Sequence, residues 1–167
     1  MGLIQKSDRE AGLKWAVAKR EDDVVHLLAP TLDEIFVKQL FGTELATWLI
    51  SYANNVERSS AILFILRSGY VNLNEYYSPH PARDSRLLNR GSEFNPLKEA
   101  ARRGELVFVK AMLETKARKP ISKYTLGDAF RSAKTENHQE VARCLEEFRA
   151  LQPWKGLEER ESNSRKL

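Results

Sequence analysis

A self-similarity at a period of 33 residues constrains this chain more than any other feature. Residues 95–115 (NPLKEAARRGELVFVKAMLET), moved forward by 33, land on 128–148 (DAFRSAKTENHQEVARCLEEF). Leu97 falls on Phe130, Ala100 on Ala133, Phe108 on Val141, Ala111 on Cys144 and Met112 on Leu145. Apolar positions meet apolar positions, and the one polar break puts Gly104 on Asn137. Gly and Asn tolerate the left-handed conformation that ends a helix. A fixed period of this length marks a chain built from stacked supersecondary units.

The same template fits twice more upstream. Residues 11–29 place Leu13, Ala16, Val17, Val24, Val25, Leu27 and Leu28 on it, and residues 48–69 place Ile50, Ala53, Ala61, Ile62, Phe64, Ile65 and Leu66. Within each half the apolar spacing is three or four, one face of a helix. Each unit therefore reads as a short helix, a polar break and a second helix. One such pair cannot bury its apolar face, whereas stacked pairs share a continuous core. Asn95 suits an N-cap and Pro96 the first helical position.

Asn95-Pro96-Leu97-Lys98-Glu99-Ala100-Ala101-Arg102-Arg103-Gly104 resembles the ankyrin repeat's T-P-L-H-x-A-A-x-x-G. Phe108-Val109 and Ala111-Met112-Leu113 are similar to its V-V-x-L-L-L. Leu66 to Asn74 resembles its L-x-x-G-A-D-V-N with one residue added, and Asn137-His138 its G-H pair. Asn95 stands for Thr and Lys98 for His, so the family's Thr–His hydrogen bond is missing. The resemblance spans about residues 11–150. It implies an all-α, ankyrin-like solenoid of four irregular helix pairs, with units near 8–30, 45–74, 92–118 and 125–150 of a domain covering 1–155. The charged tail 156–167 lacks apolar periodicity and reads as disordered.

Two spacings depart from 33. Residues 31–42 read as a short extra helix, with a Thr31–Glu34 capping box and Gly42 as its stop. An insertion of about 14 residues falls within 75–93, where the resemblance implies a finger projecting toward the concave side. The core expected from the pattern is Leu13, Ala16, Val24, Leu28, Ile50, Ala53, Ile62, Leu66, Leu97, Ala100, Val109, Leu113, Phe130, Ala133, Val141 and Leu145. Trp15 and Trp48 are expected as buried anchors, because burying such a ring is favourable. Trp154 is expected to cover the last unit.

Composition excludes several classes. In 167 residues there is one cysteine, Cys144, so no internal disulfide or cysteine-rich zinc module forms. Hydrophobic residues at 42% and charged ones at 30% describe a globular chain. His26, His80 and His138 have no second ligand at metal spacing, so neither metal nor cofactor is expected. Cys144, on the apolar face, reads as a small hydrophobe. No phosphate-binding glycine motif and no nucleophile elbow occurs. Asp22-Asp23 and Asp33-Glu34 read as solvated first turns of helices. The expectation is therefore a protein that is not an enzyme and takes no small-molecule substrate. No leader pattern or membrane-length apolar run stands out, so a cytoplasmic or nuclear setting is expected. A secreted microbial effector is the alternative.

Charge locates the functional candidates. The formal net charge is +4. Residues 1–82 carry a net −2, residues 83–123 a net +6 and residues 124–167 a net 0. The long loop holds Tyr76, Tyr77, Arg83, Arg86 and Arg90, and Tyr and Arg are enriched at binding hot spots. Arg102 and Arg103 end the first helix of unit three, where the resemblance implies variable contact residues. Lys116, Arg118, Lys119 and Lys123 follow that unit. These seven Tyr and Arg residues form the expected partner-binding set, for a partner protein with an acidic surface. Nucleic-acid binding through the basic 83–123 segment, with Tyr for stacking, is the alternative. The plain alternative is a solvated loop with cations at helix ends.

Overall fold

The computed structural model describes residues 5–51, 53–77, 95–115 and 120–152. Within them the chain is all-α, with eight α-helices: α1 Lys6–Lys19, α2 Asp22–Leu28, α3 Glu34–Ile50, α4 Asn55–Arg67, α5 Pro96–Arg102, α6 Leu106–Glu114, α7 Lys123–Thr135 and α8 Gln139–Leu151. Successive helices pair as α1/α2, α3/α4, α5/α6 and α7/α8. The pairs contact one another in two rows: α3 packs on α5 and α5 on α7, while α4 packs on α6 and α6 on α8. Among the described residues no helix is long and apolar enough to cross a membrane.

The breaks inside the pairs show why the 33-residue period exists. Gly104 and Asn137 have φ of 71° and 61°. The Glu105 N–H donates to the Ala100 carbonyl (3.0 Å) and the His138 N–H to the Ala133 carbonyl (2.8 Å). Arg20 repeats this in the first pair with φ 60°, and Glu21 N–H donates to Ala16 O (2.9 Å). All three are the same left-handed helix stop, in which a backward bond satisfies a carbonyl that the helix leaves open. The second pair uses another device. Ser51 turns extended, and the Asn54 side chain caps α4 by accepting from Glu57 N–H (2.8 Å).

That difference corrects the expected register of the second unit. Residues 31–42 are no separate helix, because α3 runs unbroken through Gly42 to Ile50. Its cap is Asp33, whose carboxylate accepts from the Ile35 and Phe36 N–H groups, so the Thr31–Glu34 box does not form. Thr31 instead ends a short 3₁₀ turn at Ala29–Thr31. Val37, Phe41, Leu45, Ala46 and Leu49 form the buried stripe of α3, and Ile50 and Ala53 are only half-buried. Leu27, placed on the template, lies exposed.

Elsewhere the pattern holds. Leu13, Ala16, Ile62, Leu66, Leu97, Ala100, Val109, Ala133, Val141 and Leu145 are buried, and Val24, Leu28, Leu113 and Phe130 pack partly buried against them. Each fully buried side chain of Leu or Phe size contributes about 1.5–3 kcal/mol of transfer free energy. Ala100, Ala101, Ala129 and Ala133 are all fully buried, which lets α5 and α7 approach closely. Trp15 is not an anchor: it is 54% exposed. Trp48 is half-buried beneath the Arg20 guanidinium, 5.3 Å from the ring centre. The 156–167 tail and Trp154 lie outside the described residues.

Candidate partner-binding surface

The segment after α4 is tied down by asparagines. Gly69 ends the helix with φ 71°, and Asn72, Leu73 and Asn74 follow. Asn74 bridges to the fourth pair: its Nδ2 donates to Pro120 O (2.9 Å), and its Oδ1 accepts from Ser122 N–H (2.7 Å) and the Thr125 hydroxyl (3.2 Å). Asn95 bridges to the third pair. Its Oδ1 caps α5 by accepting from Lys98 N–H (3.1 Å), while its Nδ2 donates to Leu73 O (2.6 Å) and Glu75 O (3.1 Å). Asn95 is buried, and these bonds satisfy its amide and two main-chain carbonyls that water reaches poorly. Asn95 thus ties the Leu73–Glu75 segment to the start of α5.

Tyr77 belongs to this scaffold and not to a binding surface, which corrects its place in the expected set. It is 5% exposed. Its hydroxyl accepts from Asn72 N–H and donates to Asn72 O, both at 3.1 Å. Burial pushes the phenol up to about 12, against the lowering effect of the Asn72 bond. Tyr76, the next residue back, is 54% exposed and free to meet a partner. Arg83, Arg86 and Arg90 lie outside the described residues, as do His80, Lys116, Arg118 and Lys119.

Arg102 and Arg103 share one carboxylate. Glu99 accepts from Arg102 Nε (2.9 Å) and Nη2 (2.8 Å) and from Arg103 Nε (2.6 Å). Burial works to raise the Glu99 carboxyl, and the two guanidinium groups outweigh it and hold it below the usual value. The pair of arginines is therefore oriented by a buried anion on the same helix, and their charge is partly answered.

Arg102 opens onto a groove of about 410 Å³ between α5 and α7, lined by Lys98, Arg102, Asp128, Arg131, Ser132, Thr135 and Glu136. The two helices run in the same sense along it. Lys98 lies toward its start, and at its end His138 Nε2 donates to the Arg102 carbonyl (3.0 Å). On α7, Tyr124, Asp128, Arg131 and Thr135 recur at spacings of three and four, so they share a face. Tyr124 is 79% exposed one turn before Asp128. Arg131 pairs with Asp128 across an exposed turn. Lys98 makes no ion pair among the described residues.

Lys98, Tyr124 and Arg131 were not among the sequence candidates. The signal was available for two of them: Arg131 stands 33 residues after Lys98, so both occupy one position of the repeat. The remaining chemistry is sparse. Among the described residues no group of three or more His, Cys, Asp or Glu side chains could hold a metal ion. His26 is exposed, and burial pushes the Cys144 thiol up, away from a reactive thiolate. The chain matches no known family model, no curated protein and no solved structure.

Proposed function

We propose that this chain is an ankyrin-like interaction module, without enzymatic activity, that holds a partner protein on the first-helix face of its third and fourth helix pairs. The α5–α7 groove carries this reading: it gathers Lys98, Arg102 and Arg131 beside the exposed Tyr124. Tyr and Arg presented on a rigid wall are the combination that interface hot spots favour. The wall is rigid because Ala100, Ala129 and Ala133 close the helix contact beneath it. Tyr76 is exposed where the segment 75–93 begins, and it adds an aromatic contact to this reading.

The partner is a protein with an acidic patch. Nucleic acid is the less favoured partner because it carries a charge at every phosphate and meets Asp128 and Glu136 in any register, whereas a protein can place isolated carboxylates beside Lys98 and Arg131. A cytoplasmic or nuclear site of action fits this reading. The test is affinity capture from the native extract with the wild-type chain and with a Lys98→Glu/Arg131→Glu double variant, followed by identification of what co-purifies. The double variant is expected to lose the partners of the wild type while keeping its thermal transition. Recovery of the same partners in the same amounts would remove the groove from the interface.

A further inference from the structure

The chain itself carries a segment whose charge and reach suit the α5–α7 groove. Helices α7 and α8 have 13 residues each and are joined by the short turn 136–138. They pack as an antiparallel pair, so the end of α8 at Leu151 lies level with the start of α7 at Lys123. Gln152 is extended, with ψ 143°, and Pro153 cannot continue the helix. The chain therefore leaves α8 beside the end of α7 from which the groove is entered.

Residues 153–167 lie outside the described residues, and their sequence is Pro-Trp-Lys-Gly-Leu-Glu-Glu-Arg-Glu-Ser-Asn-Ser-Arg-Lys-Leu. All of their acids fall in one run, Glu158, Glu159 and Glu161, with Arg160 among them. Crossing from α8 to α7 takes about 8–10 Å. Moving along α7 from Tyr124 to Arg131 takes about 10 Å more, at about 1.5 Å per residue. The six residues from Gln152 to Glu158 span up to about 20 Å and the nine to Glu161 up to about 30 Å. The acids thus begin where the chain is long enough to meet the groove.

We propose that the Glu158–Glu161 run folds back into the α5–α7 groove of its own chain and competes there with the partner. This rests on the interaction reading given above. The groove is mixed in sign, with Lys98, Arg102 and Arg131 against Asp128 and Glu136. The run is mixed with the opposite balance, three carboxylates against one guanidinium. Glu99 already answers Arg102, which leaves Lys98 and Arg131 as the cations for the run. Arg131 meets only Asp128, in an exposed pair, and such pairs exchange partners at little cost. Tethering by a few residues gives an effective concentration of about millimolar, so a contact too weak for a free peptide is populated in the intact chain.

The test compares the ¹⁵N-labelled full chain with a Glu158→Gln/Glu159→Gln/Glu161→Gln variant, dilute and at low salt, with no partner present. Amide signals of α5 and α7 around Lys98 and Arg131 are expected to differ between the two. The difference should vanish at about 1 M salt, where screening cuts the range of charge to about 3 Å. In a Lys98→Gln/Arg131→Gln background the tail substitutions should move neither helix. Partner capture should rise about threefold in the tail variant, the size of one exposed ion pair released. Groove signals that ignore the tail carboxylates overturn the proposal. So does a difference that grows with protein concentration, which assigns the carboxylates to a second copy, and so does weaker capture by the tail variant. Where the groove signals ignore the tail but capture depends on Lys98 and Arg131, the tail contact falls and the interaction reading stands. Where the groove signals follow the tail but capture is indifferent to both cations, the contact stands and the competition falls with the interaction reading.

Discussion

Gly42 leaves open, in the middle of α3, the space that the Tyr77 ring fills; a Cβ there would overlap the ring. Two segments 35 residues apart are locked by this one missing methyl group. Gly42→Ala gains about 1 kcal/mol of helix propensity and forces the ring out of its slot. The overpacking dominates, and a net loss of about 1–3 kcal/mol is expected in urea unfolding.

Tyr77→Phe keeps the ring and removes both bonds to Asn72. The Asn72 N–H, in a buried residue, is left without its partner. The expected loss is about 1–3 kcal/mol. Partner capture should survive, since Tyr77 faces the core; its loss in a folded variant would restore Tyr77 to the interface.

The helix stops predict opposite signs for two substitutions at one repeat position. Gly104→Ala places a methyl in the left-handed region, at a cost of about 1–2 kcal/mol, and sets it 2.5 Å from His138 Nδ1. Asn137→Gly relieves the milder strain at φ 61° and should raise stability by a few tenths to about 1 kcal/mol. Thermal unfolding of the two variants side by side checks both. A destabilised Asn137→Gly would show that the Gln139–Asn137 side-chain bond (2.8 Å) outweighs the backbone.

These two helix stops also show what was legible in the sequence. A left-handed stop is chemistry local to a few residues, so Gly104 and Asn137 announce themselves at a spacing of 33. Gly42 has the same identity and the opposite use. It sits in helical conformation for a contact made 35 residues later, and nothing near it in sequence says so. Tyr77 was misread for the complementary reason. It stands at the edge of a polar insertion and looks like loop, while its burial is decided by α3. Arg20 makes the same left-handed stop with a long side chain, so the polar break of the first unit was legible but its stop residue carried no Gly or Asn to mark it.

Glu99 gives a pH dependence with a definite sign. Its folded-state value is depressed by Arg102 and Arg103, so the unfolded chain binds the proton more readily. Its contribution is present above the ordinary Glu value of about 4.3 and disappears as pH falls through the depressed value. Glu99→Gln should therefore destabilise the protein at pH 7 and make little difference in strong acid. Melting temperatures of both proteins between pH 7 and pH 2 check this, and parallel curves would deny Glu99 its role.

Ala100 is fully buried at the α5–α7 contact. Ala100→Glu places an unpaired charge between the helices and is expected to unfold the chain at room temperature. Circular dichroism settles it, and an unchanged transition would mean that the two helices do not meet there.

Binding through one face of the stack is tested most directly by the footprint of a captured partner. Amide shifts of the ¹⁵N-labelled chain on addition of the purified partner should concentrate at Lys98, Arg102, Tyr124, Asp128 and Arg131, with α4, α6 and α8 unmoved. Shifts that cluster instead along α4 and α6, around Arg67 and Glu114, with Lys98 and Arg131 silent, would contradict it.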